Sequence, residues 1–268
     1  YVPEQVRQDI KILSLGGRLY NSERTDMDLN FSVAPNFYLL TDYYSNKESG
    51  FDLNIGATKW FADKHPLTIN IRTDFTSYND TAKQSLNNIY LHPAFTFHVD
   101  FLNLKIGALF ASNRDEFQIF PDVELNLRLW GDGLQVFAGA DGDLRKNTYR
   151  SLIEYNPFIQ MRGVKLKNTA MRQYFGGVRG NLGWLEYDGR VTYGKVGDLA
   201  LLQTNFDTTG RPGVTRFTAL YDTANIFGIQ GTVKLKPIKN LVFTAMVSQK
   251  AYDMFVESEA WGLPSLEA

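Results

Sequence analysis

Apolar and polar residues alternate with a period of two along most of this sequence, and no other feature constrains the fold as strongly. In the segment Leu67–Ser77, the residues Leu67, Ile69, Ile71 and Phe75 share one face, and every even-numbered position is polar. Successive side chains of a β-strand point to opposite faces of a sheet. The pattern therefore predicts strands that have one apolar face and one polar face.

The alternation recurs in about twelve or thirteen segments of roughly 9–12 residues, and a tilted strand of about 9–11 residues can cross a bilayer. We therefore predict an all-β fold, a transmembrane antiparallel up-and-down β-barrel of about 12–16 strands. It would form one domain over residues 1–268, with residues 1–10 as a periplasmic or linker segment. Because the last residues resemble a loop that enters another strand, we expect the barrel to be incomplete at the C-terminus. The predicted strands include Lys11–Tyr20, Met27–Val33, Phe51–Phe61, Leu67–Ser77, Ile89–Val99, Leu102–Phe110, Asp122–Leu129, Leu134–Asp141, Arg172–Leu182, Leu185–Lys195, Phe227–Lys236 and Leu241–Gln249.

Composition excludes several other classes of protein. Apolar residues make up 44% of the chain, but no apolar run reaches the roughly 18 residues that a transmembrane helix needs. The formal net charge of −1 offers no basic surface, so we predict no nucleic-acid partner. Because the chain has no cysteine, disulfides, thiol catalysis and cysteine-ligated metals are all excluded. A soluble β-sandwich would show the same alternation and stays open as a less favoured alternative.

Tryptophan residues cluster at one kind of predicted turn, which favours a membrane barrel over a sandwich. Trp60 and Phe61 precede a short turn, Trp130 precedes another, and Trp184 follows a third. Membrane barrels carry girdles of aromatic side chains where the wall meets the lipid headgroups. We predict that these four residues form such an interface girdle.

The predicted connections tend to alternate between short and long, as in outer-membrane barrels with short periplasmic turns and long outer loops. Two features disagree with a regular closed sheet. The predicted turns Asp222–Ile226 and Pro237–Asn240 are consecutive and both short, and Pro35 and Pro93 fall inside predicted strands, where proline removes a ladder hydrogen bond. The predicted long connections are Asn79–Asn88, Ala111–Glu116, Gly142–Met171 and Val196–Val214.

Charged residues occur in the middle of several predicted strands, always on the polar face. In a barrel of this width these side chains would line the lumen and set its selectivity. Their signs are mixed, so we expect no strong ion preference, and reversing both acidic charges at Asp122 and Glu124 should move selectivity toward anions. The predicted lumen and selectivity residues are Arg72, Asp74, Lys105, Asp122, Glu124 and Arg128.

The sequence contains no recognisable catalytic motif. Its three histidines, His65, His92 and His98, form no metal-binding pattern, and neither a nucleophile elbow nor a phosphate-binding loop occurs. The acidic stretch Asp141–Asp143 lacks the further oxygen ligands of a calcium loop. We therefore predict a protein that is not an enzyme, with no cofactor and no bound metal.

Two stretches resemble outer-membrane barrels of the Bacteroidetes that are similar to TonB-dependent receptors. The first runs from Thr148 to Phe158 and is followed by a strand around Tyr174–Gly180, and the second is Glu259–Pro264. The resemblance covers mainly the C-terminal half and supplies no functional residues. It implies an outer-membrane location and a role in transport or scaffolding, although full barrels of that type have about 22 strands.

Three functional hypotheses follow from these features. The leading one is an outer-membrane barrel that acts as a transport pore or a receptor-like barrel for small polar solutes. The second is a structural or accessory barrel that binds other envelope proteins through the long loops Gly142–Met171 and Val196–Val214. The third is the soluble sandwich. In the first two, outer-membrane lipid and lipopolysaccharide would be partners, with basic residues near Arg145 meeting lipopolysaccharide phosphates.

Overall fold

A computed structural model describes residues 8–80, 82–113, 116–161, 164–206, 215–238 and 240–267. Almost all of the regular structure is strand, so the predicted all-β class is confirmed. The expected segment 1–10 lies mostly outside the described residues. The elements are β1 (Lys11–Gly16), β2 (Leu19–Tyr20), β3 (Leu29–Thr41), β4 (Lys47–Phe61), β5 (His65–Asn79), β6 (Lys83–Val99), β7 (Leu102–Asn113), β8 (Glu116–Trp130), β9 (Leu134–Asn147), α1 (Tyr149–Tyr155), β10 (Lys167–Asn181), β11 (Leu185–Phe206), β12 (Thr215–Ile238), β13 (Leu241–Met254) and β14 (Leu266–Glu267).

The fourteen strands form one antiparallel sheet in which neighbours in sequence are neighbours in space. The one departure is at the start, where β1 and β2 both pair with β3. Among the described residues, no ladder joins these first strands to β13 or β14, so the sheet is an open arc. The up-and-down connectivity and the number of strands agree with the prediction.

The connections at one edge of the arc are uniformly short. The links from β4 to β5, β6 to β7, β8 to β9, β10 to β11 and β12 to β13 each contain two or three residues. We call this edge the short-turn end and the opposite edge the long-loop end. The longest link at the long-loop end joins β9 to β10 and carries α1.

Two expectations about the connections were wrong in a consistent way. The strands continue far past the predicted ends, so two of the four predicted long connections, Asn79–Asn88 and Ala111–Glu116, are short. For example, β5 and β6 are separated only by residues 80–82. In addition, β12 runs without a break from Thr215 to Ile238, so the expected turn at Asp222–Ile226 does not exist. Short turns at one edge therefore alternate with the other connections without a break from β3 to β14, which removes one of the two objections to a barrel wall.

Both prolines inside strands sit where the ladder does not need their missing N–H. Pro35 of β3 faces the gap between β1 and β2, where the backbone N–H of Gly17 donates to the Pro35 carbonyl at 3.1 Å. At Pro93 of β6, the β6–β7 ladder skips from Leu91 to Ala94 and resumes in the same register. The sheet therefore accommodates both residues without a shift of strand pairing.

The two faces of the arc differ in chemistry. One face carries exposed Phe31, Ile55, Ile71, Leu91 and other large apolar side chains. On the other, polar face, side chains of non-adjacent strands meet, as where Arg190 of β11 reaches Asp141 of β9 at 3.1 Å. The polar face is therefore the concave one, and the apolar face is convex, as expected for a wall between lipid and a lumen.

Candidate functional site

The long-loop half of the concave face is covered by part of the chain itself. We call this part, residues 142–172, the inserted segment; its residues 162 and 163 are outside the described part. Strand β9 pairs with β8 only as far as Asp141, opposite Asp122, and the next residue of β8 is Pro121, which has no N–H to donate. Beyond that point β9 stays paired with β10 and leaves the wall.

Gly142 allows the departing strand to pass close to the wall. A Cβ atom at this position would lie 2.6 Å from the carbonyl oxygen of Met171 and 2.9 Å from the ring of Phe120. Phe120 itself is fully buried beneath the inserted segment, together with Leu144. A side chain at position 142 would therefore separate the inserted segment from the wall.

A buried carboxylate on β4 holds the start of α1. Glu48 accepts hydrogen bonds from the backbone N–H groups of Tyr149 at 2.7 Å and Arg150 at 3.1 Å, and from the hydroxyl of Tyr38 at 2.8 Å. A capping box between Thr148 and Ser151 satisfies further N–H groups at the same helix end. The carboxylate thus replaces water for the first helical N–H groups, which have no partner inside the helix.

A buried ammonium group makes a second attachment. The Nζ atom of Lys146 lies 2.5 Å from Oδ1 of Asp74 and 2.7 Å from the hydroxyl of Thr76, both on β5. Its side chain is only 5% exposed. A charge so far removed from water is stable only with such partners, so Lys146 fixes the segment to one position on β5.

Paired amides attach the other strand of the segment. Asn168 of β10 and Asn88 of β6 exchange two hydrogen bonds, at 2.9 and 3.1 Å, and Asn168 also donates to Asn113 of β7 at 3.0 Å. Nearby, Gln84 donates to the carbonyl of Val164 at 2.9 Å. These contacts specify the position of β10 across the wall, because each buried amide would be unsatisfied in another register.

Apolar packing fills the space between these polar attachments. The ring of Tyr149 lies against that of Tyr78, with centroids 5.3 Å apart, and its hydroxyl donates to Asp42 at 2.6 Å. Burial, together with the carboxylate of Asp42, raises the pKa of Tyr149 well above its ordinary value. The same core contains Tyr38, Leu40, Leu86, Leu152, Ile153, Ile159, Met161, Val164, Leu166, Leu202 and Ala219.

The six predicted lumen residues all lie on the concave face, as the strand register requires. Most of them are paired across the strands. Lys105 lies 2.5 Å from Asp122, which His92 also contacts at 2.7 Å. The remaining contacts are Asp74 with Lys146 in the covered half, Glu124 with Arg179 at 2.8 Å, Arg72 over the ring of Tyr90 at 3.9 Å, and Arg128 with the Asp100 carbonyl at 3.5 Å.

Three of the four predicted girdle residues are exposed at the short-turn end. These are Phe61, Trp130 and Trp184. Trp60 differs, because it lies on the polar face: its indole N–H donates to Asn30 at 3.1 Å, and the guanidinium of Arg24 stacks on its ring at 4.2 Å. The interface girdle therefore stays a prediction for Phe61, Trp130 and Trp184, and Trp60 is not part of it.

The sequence did not indicate the residues that hold the inserted segment. Glu48 lies between two predicted strands, and Lys146 and Asn168 lie in the predicted long connection Gly142–Met171. A signal that could have been used is the Thr–Ser capping pattern at 148–151. Among the described residues, no group of three or more His, Cys, Asp or Glu side chains could hold a metal ion. No described helix has the length and apolarity that crossing a membrane requires.

Comparisons with known proteins establish the fold. No protein-family model matches the chain, and no curated protein matches it. Solved structures do match. The copper transporter OprC matches with a TM-score of 0.63 and 15% identity, over 91% of this chain and 48% of that one. The siderophore receptor PirA from Pseudomonas aeruginosa matches with a TM-score of 0.65 and 10% identity, over 92% of this chain and 51% of that one. The alcaligin outer-membrane receptor FauA from Bordetella pertussis matches with a TM-score of 0.59 and 13% identity, over 97% of this chain and 49% of that one.

The arc therefore has the fold of an incomplete outer-membrane β-barrel, like the barrels of the matched structures. The chain spans about half the length of the structures that it matches. At these identities the likeness concerns the fold, and it assigns none of the substrates of those proteins to this chain.

Proposed function

We propose that this chain forms part of the wall and lines part of the lumen of an outer-membrane barrel with a transport or receptor role. The convex face, with its exposed Phe, Ile and Leu side chains, suits contact with lipid. The concave face carries paired charges and amides that suit a small polar solute. The fold shared with outer-membrane receptors and transporters supports the same role, and the resemblance to Bacteroidetes barrels stays a prediction.

The observation that carries this proposal is the inserted segment. A passive pore needs an open water-filled lumen, whereas here buried side chains fix the described residues of the inserted segment across the concave face. We therefore favour a receptor-like barrel over a passive porin. The accessory-subunit alternative gains less from this loop, since its buried residues are packed against the chain's own wall.

The test is single-channel recording with the native full-length protein, extracted in detergent and inserted into a planar bilayer. We expect insertion without stable conductance steps. Stable steps in the wild-type protein would contradict the proposal and favour a passive pore. Extraction without any detergent would favour the soluble alternative, and a stoichiometric co-purified protein would favour the accessory barrel.

A further inference from the structure

Arg72 is a cation without a counter-ion on the concave face. Its guanidinium stacks on the ring of Tyr90, with Cζ 3.9 Å from the ring centroid. Its Nε atom is buried and has no hydrogen-bond partner. Among the described residues, no carboxylate lies within the 4.0 Å of an ion pair with Arg72.

Two neighbouring carboxylates already have cationic partners. The Asp122 carboxylate is shared by Lys105 and His92, at 2.5 and 2.7 Å. The Asp74 carboxylate is occupied by Lys146. Neither of these two carboxylates is therefore an ion-pair partner of Arg72, whose guanidinium stays open to an anionic ligand.

Arg72 borders two adjacent clefts, which lie between the wall and the inserted segment. One has a volume of about 350 Å³ and includes Asn54, Asn70 and Lys105; the other has a volume of about 330 Å³ and includes Asp52 and Arg145. Each is large enough for a small metabolite, at the lower end of the range for ligand sites. The amides of the first cleft supply further donors and acceptors beside the guanidinium.

The inserted segment fixes the stacking platform of this arginine. The hydroxyl of Tyr90 donates to the carbonyl of Leu144 in the inserted segment at 3.1 Å and accepts from Asn88 at 2.8 Å. These two hydrogen bonds hold the hydroxyl end of the ring on which the guanidinium stacks. A planar guanidinium matches the two oxygens of a carboxylate.

The segment also supplies an acceptor to both clefts. Asp143 borders each of them, and its carboxylate accepts a local hydrogen bond from the backbone N–H of Leu144 at 2.8 Å. This carboxylate would repel a second anionic group and accept a hydrogen bond from a hydroxyl or ammonium group.

We propose that Arg72 and Asp143 form a binding site for a small solute that carries one carboxylate and a nearby hydrogen-bond donor. Arg72 takes the carboxylate, and Asp143 takes the donor. This inference rests on the proposed function, since it assigns a solute class to the same concave face.

The test measures binding of lactate to the purified full-length protein in detergent, by saturation-transfer NMR titration. Methyl lactate, which has no charge, and propionate, which has no hydroxyl, are the comparison probes. We expect saturable lactate binding, with methyl lactate weaker by about tenfold or more, since charged hydrogen bonds are the strong ones. Absence of saturable lactate binding, or equal binding of the ester, would overturn the inference.

Variants locate the binding. Arg72→Gln should weaken lactate binding about tenfold or more, whereas Arg18→Gln should leave it unchanged. Arg18 is a matched control, because its guanidinium also lies over a tyrosine ring, Tyr20, but away from both clefts. Equal affinities in these two variants would overturn the inference. If Arg72→Gln does not fold, as judged by circular dichroism, Arg72→Lys decides, with an expected loss of about threefold.

Asp143→Asn tests the second half of the site. It should bring the affinities of lactate and propionate within about twofold of each other; a preference for lactate that persists would remove Asp143 from the site. A failure of this inference can be told from a failure of the proposed function, because binding in detergent does not require transport. Stable conductance would contradict the receptor-like barrel while the lactate titration still reports on Arg72, and unaltered binding in Arg72→Gln would leave the conductance result standing.

Discussion

The two halves of the concave face follow the same sequence pattern but differ in what lies above them. In the short-turn half, the ion pair between Arg179 and Glu124 is 2.8 Å long, and both side chains are more than a third exposed. In the long-loop half, the pair between Lys146 and Asp74 is of similar length, but the lysine is almost completely buried. Alternation therefore builds the wall, whereas the inserted segment decides where a polar contact becomes structurally important.

This difference has a clear energetic basis. An exposed ion pair contributes about 0–1 kcal/mol because water and salt screen it. A buried polar group without its partner costs about 1–3 kcal/mol, and more when it is charged. Substitutions of comparable chemistry should consequently have large effects under the inserted segment and small effects in the open half.

The largest effect is expected at Glu48. Glu48→Ala leaves two backbone N–H groups of α1 and the hydroxyl of Tyr38 without their acceptor. We expect the amides of residues 148–155 to exchange with deuterium about 100-fold faster, which corresponds to a loss of about 3 kcal/mol. Hydrogen-exchange mass spectrometry of the protein in detergent measures this directly.

The control for this experiment is Glu154→Ala. Glu154 lies on the exposed side of the same helix and pairs only with Arg150, at 3.0 Å. In this variant the exchange rates of the amides of residues 148–155 should change less than about threefold. If both variants behave alike, Glu48 does not hold the helix to the wall.

A somewhat smaller effect is expected at Lys146. Lys146→Met keeps the aliphatic stem but leaves the Asp74 carboxylate without its ammonium partner. Since Asp74 is about 30% exposed, water compensates in part. We expect a local loss of about 2 kcal/mol, seen as roughly 30-fold faster exchange at 142–149. Unchanged exchange in this peptide would show that the segment is held without the buried ion pair.

The faces of the sheet were predictable from sequence, because the pleat alone fixes which side chains share a face. All six predicted lumen residues lie on one face for this reason. Trp60 illustrates the same rule: counted from Phe51, it falls among the polar positions with Asp52 and Asn54. The girdle interpretation placed it with lipid because it weighted residue type over position.

The inserted segment was not predictable in the same way. Its direction depends on contacts between residues far apart in sequence, such as Glu48 with Tyr149 and Asn88 with Asn168. The strand ends were underestimated for a related reason. Past the wall, as at Leu201 and Leu202, both faces of a strand are covered, so strict alternation is no longer required.

A moderate effect is expected where the segment leaves the wall. Gly142→Ala places a methyl group 2.6 Å from the Met171 carbonyl oxygen and 2.9 Å from the Phe120 ring, so backbone or ring must move. We expect a destabilisation of about 1 kcal/mol, with about fivefold faster exchange at 142–149. Gly231→Ala, in the open half, is the matched control because nothing lies within 4 Å of its Cβ position. A larger effect at Gly231 than at Gly142 would contradict the tight crossing.

The smallest effect is expected in the open half, at Arg179. Arg179→Gln removes the ion pair with Glu124 and the stacking of the guanidinium on Phe137, whose ring centroid lies 4.6 Å away. Because both partners are substantially exposed, we expect a loss below about 1 kcal/mol, with exchange at 175–181 less than about fivefold faster. The wild-type and variant rates should also converge in high salt, which screens an exposed pair but hardly affects a buried one. If Arg179→Gln instead matches the effect of Lys146→Met, the open half is also covered in the native protein, and the contrast between the two halves disappears.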